Sequence, residues 1–166
     1  TRNTLQLNLG INTETGLPIF GDIGMFAGVE ETDWSWASLF ADYDNDGWDD
    51  LLIVNGFPKD VTDRDFGDFR LTASKLVSQK ELLAAIPQIK SPNFIYRNRG
   101  DLTFENVTKE WGLDFPTFSN GAAYADFDKD GDLDLVINNI DDPVLLLENT
   151  AAQQDKNSHY LRINLE

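Results

Sequence analysis

Two stretches of this chain share one hydrophobic pattern. Trp36-Ala-Ser-Leu-Phe-Ala-Asp42 leads into a polar, acidic segment, and the apolar run Leu51-Leu-Ile-Val54 leaves it, ending at Asn55-Gly56. Gly121-Ala-Ala-Tyr-Ala-Asp126 and Leu135-Val-Ile137, ending at Asn138-Asn139, repeat the arrangement. A short apolar run rich in β-branched residues and bounded by turn residues reads as a buried strand. Each copy is therefore a predicted strand–loop–strand unit. Thr4–Leu9 has apolar residues at 5, 7 and 9, the period of a strand. Further strand patterns fall at Asn93–Arg97, Leu102–Asn106, Val107–Leu113 and Pro143–Asn149. Residues 11–31 are punctuated by Gly16, Pro18, Gly21, Gly24 and Gly28, so turns and at most short strands are expected there. Phe20, Phe26, Trp34 and Trp36 are expected to pack between sheets rather than to form a stacking platform for sugars.

The pattern changes between the two units. Leu71–Ile86 carries helix-forming residues, and Pro87 stops it. Ser78-Gln-Lys-Glu81 has the form of a capping box, which predicts two short helices rather than one. Residues 60–91 thus read as a helical insertion in a β chain, serving either as a partner surface or as packing on the sheet rim. Asn93 to Pro143 is 50 residues, whereas Asp42 to Asp126 is 84, and the difference of 34 is close to the length of that insertion. The underlying repeat is thus about 50 residues, and repeats of ~40–50 residues holding several short strands mark propeller blades. The predicted fold class is mainly β: a fragment of a β-propeller, about two to three blades of antiparallel strands, with a helical insertion. The units divide at 1–59, 60–91, 92–142 and 143–152, with 153–166 a linker and the first strand (His159–Leu165) of a following unit. A closed propeller needs typically ~4–8 blades. Other blades or other subunits are accordingly expected to cover the open edges.

The acidic segments bring chemistry into this scheme. Asp42-Tyr-Asp44-Asn-Asp46-Gly47-Trp48-Asp49-Asp50 and Asp126-Phe-Asp128-Lys-Asp130-Gly131-Asp132-Leu133-Asp134 place carboxylates at positions 1, 3, 5 and 9 with Gly at 6. Ca²⁺ takes about 6–8 oxygen ligands, and the Gly permits the turn that wraps the loop. Position 7 supplies a backbone carbonyl in such loops, here from Trp48 and Asp132. An EF-hand is excluded, because position 12 is Ile53 or Ile137 instead of Glu and a strand follows instead of a helix. Asp60-Val-Thr-Asp-Arg-Asp65 lacks the Gly and the spacing, so it is not read as a third site. The chain has 29 acidic and 13 basic residues, a net charge of −16. That balance disfavours nucleic acid, whose binding rests on Lys and Arg, and suits a cation binder. At 41% hydrophobic residues the composition is that of a globular domain.

No cysteine is present, so disulfides and thiol chemistry are excluded. One His, no Gly-x-Ser-x-Gly elbow and no His-Glu-x-x-His motif argue against an enzyme; His159 reads as a surface or linker residue. No run of 18 apolar residues is present to span a membrane. Thr1 and the lack of a signal-like segment suggest a piece of a longer protein. Asn106-Val-Thr108 fits a glycosylation sequon, a triplet that also arises often by chance.

The two Asp-x-Asp-x-Asp-Gly-x-x-Asp loops, each entered from an Ala-Asp strand end and left through Asp-Leu, resemble the FG-GAP/VCBS-type repeats of integrin-like β-propellers. Phe94-Ile-Tyr-Arg-Asn-Arg-Gly-Asp-Leu-Thr-Phe-Glu-Asn-Val-Thr, Trp111-Gly-Leu and the tail Asn157–Ile163 are similar to a bacterial branch. In that branch the repeats run into a C-terminal ASPIC/UnbV-type domain. The resemblance implies a secreted or cell-surface, calcium-loaded propeller, including the bacterial outer membrane as a location. It implies two Ca²⁺ sites, one from Asp42, Asp44, Asp46 and Asp50 with the Trp48 carbonyl. The other would use Asp126, Asp128, Asp130 and Asp134 with the Asp132 carbonyl. The expected function is a non-catalytic, adhesion-like module that binds a protein or glycan, with structural calcium. Two alternatives are a subunit of a bacterial outer-membrane uptake or secretion assembly, and an accessory domain of a secreted glycan-active enzyme.

Overall fold

The apolar runs that follow the acidic loops become the middle strands of two antiparallel sheets. The computed structural model describes residues 2–59, 64–73 and 76–154. A hairpin of β1 (Gln6–Ile11) and β2 (Pro18–Asp22) is followed by a single helical turn, α1 (Gly24–Ala27). Next, β3 (Ser35–Ala41) and β4 (Asp50–Asn55) flank the first acidic loop. Helices α2 (Arg64–Ala73) and α3 (Gln79–Ala84) precede β5 (Ser91–Pro92), β6 (Phe94–Asn98), β7 (Phe104–Asn106) and β8 (Pro116–Thr117). The second loop lies between β9 (Ser119–Ala125) and β10 (Asp134–Asn139), and β11 (Leu145–Leu147) and α4 (Ala151–Gln154) follow. Strands β3-β4-β6-β7 form one sheet and β9-β10-β11 a second; β1-β2 and β5-β8 are two-stranded. The architecture is mainly β and antiparallel, a partial propeller-like arrangement.

Burial on both faces explains why β4 reads as an unbroken apolar run. Leu52 and Val54 join Ala41, Tyr43, Ile95, Val107, Leu113, Leu135 and Ile137 in a core between the two main sheets. Leu51 and Ile53 point the other way, onto Ala27, Val29 and Tyr96. Just beyond β4 the chain runs tightly against the second sheet at Gly56, where an added Cβ would lie 2.3 Å from the Ser119 amide nitrogen. Any side chain there would wedge the sheets apart. A polar seam continues the contact: the Asn93 amide donates to Ser119 Oγ at 3.0 Å, and Ser119 Oγ donates to Asn139 Oδ1 at 2.8 Å.

The helical segment forms two helices, as the capping box predicts. Ser78 Oγ accepts from the Glu81 amide and the Ser78 amide donates to Glu81 Oε2. The first helix begins at Arg64, earlier than the sequence pattern suggested. The two helices lie between β4 and β6, which pair with each other. The joint they interrupt is undisturbed. Asn55 donates its side-chain amide to Pro92 O (3.0 Å), and in the second sheet Asn139 donates to Pro143 O (2.7 Å) across a far shorter link.

Two expectations are corrected. Phe20, Phe26, Trp34 and Trp36 are exposed, at 55%, 65%, 39% and 52%. Alternation on β3 turns Ala37 and Leu39 toward the second sheet and so directs Trp36 to the opposite face. The N-terminal segment covers that face only over β4, β6 and β7. Trp34 and Trp36 instead stack on Phe57 at the surface. Val107–Leu113 is a helical turn and not a strand, with the Trp111 amide donating to Val107 O and the Leu113 amide to Thr108 O. Its apolar residues at 107 and 111 follow the four-residue spacing of a turn. The tail residues 155–166, including His159–Leu165, lie outside the described residues, as do 60–63.

Candidate metal centres

Each acidic loop closes a hairpin, between β3 and β4 and between β9 and β10, and the two loops share one backbone course. Positions 4 and 6 have positive φ in both: Asn45 (59°) and Gly47 (94°), Lys129 (70°) and Gly131 (100°). Gly at position 6 relieves the strain a side chain would meet there, and Asn tolerates the left-handed region better than Lys. The turn brings three carboxylates of each loop together. In the first loop, carboxylate oxygens of Asp42, Asp44 and Asp50 lie within 4.8 Å of one another; in the second, those of Asp126, Asp128 and Asp130 do. The donors are all hard carboxylate oxygens, which suits Ca²⁺ or Mg²⁺ rather than a soft metal.

The remaining expected ligands sit differently in the two loops. Asp46 is exposed, and its Oδ1 accepts from the Trp48 amide at 2.8 Å. Asp130 makes the same turn, accepting from the Asp132 amide at 3.2 Å, yet belongs to its triad. Asp42 takes the amides of Asp46 (3.0 Å) and Gly47 (2.9 Å) on its two oxygens. The Asp132 side chain is fully buried, whereas Asp49 is exposed.

Position 9 has a second role that the loop pattern does not reveal. Asp50 accepts from the Tyr43 amide at 3.1 Å on one oxygen and from the Asn98 amide at 2.8 Å on the other. Asp134 does the same with the Phe127 amide (2.9 Å) and the Asn149 amide (2.8 Å). Each carboxylate therefore ties the loop entry to the end of the next strand. Asn98 and Asn149 return the contact through their side chains, donating to Asp49 O (2.9 Å) and Leu133 O (3.3 Å). Their equivalence is visible in the sequence as Arg-Asn and Glu-Asn closing strands of like pattern. Asn149 alone reaches further, donating also to Tyr43 O at 2.7 Å. Asn45 meets Gly131 O at 3.5 Å, so the loops of the two sheets touch.

Burial in this acidic setting raises proton affinities. Burial, reinforced by Asp44 and Asp46, pushes the Asp50 carboxyl up to about 7 against its two amide donors. Desolvation also raises Asp42, despite the Gly47 and Asp46 amides. The second loop divides: the Asp132 amide holds Asp130 down. Asp128 is raised, its Asp130 amide contact outweighed by desolvation and the Asp130 and Asp134 charges. A bound cation would remove the repulsion in both loops. The first loop already has a cationic partner, Arg97, whose Nε lies 2.9 Å from Asp44 Oδ2.

Sheets and loops together define a partial, propeller-like β module with an acidic loop that could hold a metal ion at one hairpin of each main sheet. Residues 79–137 match a family model described as FG-GAP-like repeat, a span that holds the second loop. The first loop lies outside that match, and its likeness to the second rests on the shared backbone and clamp. Over 53 residues, 31% of this chain, the sequence is 43% identical to Cartilage acidic protein 1 of Homo sapiens and 40% identical to that of Xenopus tropicalis. Each match covers 8% of the relative's length, so the likeness is to a small part of those proteins.

Proposed function

We propose that this chain is a non-catalytic, calcium-binding propeller-repeat module of a secreted or cell-surface protein, with calcium serving structure. The observation that carries this reading is the pair of three-carboxylate clusters at equivalent hairpins. Asp42, Asp44 and Asp50 would hold one ion, with Asp46 and the Trp48 carbonyl completing the set. Asp126, Asp128 and Asp130 would hold the other, with Asp134 and the Asp132 carbonyl. The ion's contribution is to neutralise clustered carboxylates and so brace each hairpin. FG-GAP repeats are generally non-catalytic structural modules typical of extracellular or cell-surface proteins, which supports both the activity class and the location. Among the described residues, no helix is long and apolar enough to cross a membrane. The sequence resemblance supports the narrower placement in a bacterial branch followed by an ASPIC/UnbV-type domain.

A protein or glycan partner is the proposed target. Exposed Leu9, Ile11, Leu17 and Ile19 on the β1–β2 hairpin support the presence of further blades or subunits against it. Calorimetric titration of the chelator-stripped chain with Ca²⁺ and with Mg²⁺, with melting temperatures in each state, tests the reading. Two calcium sites and a raised melting temperature are expected. Asp→Ala at 42 or 44 should remove one site, and at 126 or 128 the other. A folded chain that binds no calcium would overturn the assignment.

A further inference from the structure

We infer that Arg97 makes the two cation loops unequal, acting as a built-in competitor that weakens calcium at the first loop and leaves the second as the tighter site. The inference rests on the calcium reading above. Arg97 is the penultimate residue of β6, on the pleat facing the first loop. Its Nε donates to Asp44 Oδ2 at 2.9 Å, and a terminal nitrogen lies 3.6 Å from Glu110. Its guanidinium stacks on Trp111 at 5.1 Å, which fixes the plane of the charge. Asp44 belongs to the first triad, so a full positive charge is held against a group that the ion must share.

The second sheet carries the opposite charge at the matching place. Pairing of Leu51 with Tyr96 and of Leu135 with Leu147 sets Tyr96 and Leu147 in register. The next residues are Arg97 and Glu148, and the clamps Asn98 and Asn149 follow. Both Arg97 and Glu148 line the cleft between the sheets, together with Asp44 and Asp46 of the first loop and Leu133 of the second. Repulsion between a fixed guanidinium and a divalent ion a few ångströms away, partly shielded from solvent, changes affinity by roughly tenfold or more. The stripped first loop is correspondingly the better braced of the two, because Arg97 already offsets part of its charge.

The test is calcium titration of the whole stripped chain at low ionic strength, for the wild type, R97Q and R97K, with D44N and D128N identifying which site is which. The wild type should show two unequal sites, with D128N removing the tighter. R97Q should tighten the site that D44N removes by roughly tenfold or more and leave the other unchanged. R97K, which keeps the charge, should stay near the wild type. Unchanged or weaker first-site binding in R97Q would overturn the inference while leaving the calcium reading intact. A folded wild type without calcium binding would overturn both.

Discussion

Replacing Asn149 by Ala separates the role of this residue from that of its counterpart Asn98. The Asn98 side chain makes two bonds, to Asp49 O at 2.9 Å and from the Gly100 amide at 2.9 Å, at a strand end that is also half-buried. Asn149 makes three in a half-buried position, to Tyr43 O at 2.7 Å, to Leu133 O at 3.3 Å and from the Ala151 amide at 3.0 Å. A net hydrogen bond contributes about 1 kcal/mol, and a polar group left without its partner costs about 1–3 kcal/mol more. Asn98→Ala should therefore cost about 1.5 kcal/mol and Asn149→Ala about 3 kcal/mol, because the latter loses one more bond, strips the Tyr43 carbonyl and leaves Asn45–Gly131 as the remaining side-chain contact between the loops among the described residues. For a chain of this size those values correspond to drops of about 4 °C and about 9 °C in melting temperature. Urea unfolding with and without calcium is the assay. Asn149→Ala should also weaken the influence of one bound ion on the affinity for the other, since the amide bridges position 2 of the first loop and position 8 of the second. Equal losses for the two variants, or a larger one for Asn98→Ala, would refute the claim that Asn149 joins the sheets.

Three further outcomes follow from the same geometry. Leu52→Ala empties a fully buried site between the sheets and should cost about 3–4 kcal/mol, measured by urea unfolding; a cost near 1 kcal/mol would place Leu52 outside the core. Gly56→Ala sets a methyl group against the Ser119 and Phe118 backbone and should cost about 3 kcal/mol or leave the chain unfolded, read by circular dichroism; wild-type stability would mean that the sheets are not in contact there. Asp50 is held up to about 7 when folded, above the unfolded carboxyl value of about 3.9, so its contribution is complete below the unfolded value and is lost as pH rises through about 7. The stripped chain should melt lower at pH 8 than at pH 5.5, Asp50→Asn should flatten that slope, and a melting temperature that rises over the interval would contradict it.

Local pattern carried much of this architecture. The strand–loop–strand units were legible because their apolar runs and turn residues need only neighbours in the chain to declare themselves. The capping box at Ser78–Glu81 was legible for the same reason. The nine-residue spacing likewise identified the acidic loops, since one turn of backbone brings positions 1 and 3 together. The aromatic residues were misjudged because an aromatic side chain signals burial only if a layer exists to cover it, and alternation along β3 turned Trp36 away from the second sheet. The turn at Val107–Leu113 was read as a strand because a short apolar run fits both periods.

The amino-acid sequence by itself determined the β class, the two loops, the helical interruption and the hard-oxygen donor set. Each of these is a property of contiguous residues. The tertiary structure alone decided which carboxylates converge, that Asp50 and Asp134 also clamp the following strands, and that Arg97 lies on the first loop while Glu148 holds the register-matched place in the second sheet. It also decided that Asn149 ties the loops together across 106 positions of sequence. Those relations depend on how one sheet stacks on the other, and stacking is set by buried surfaces brought together from distant parts of the chain.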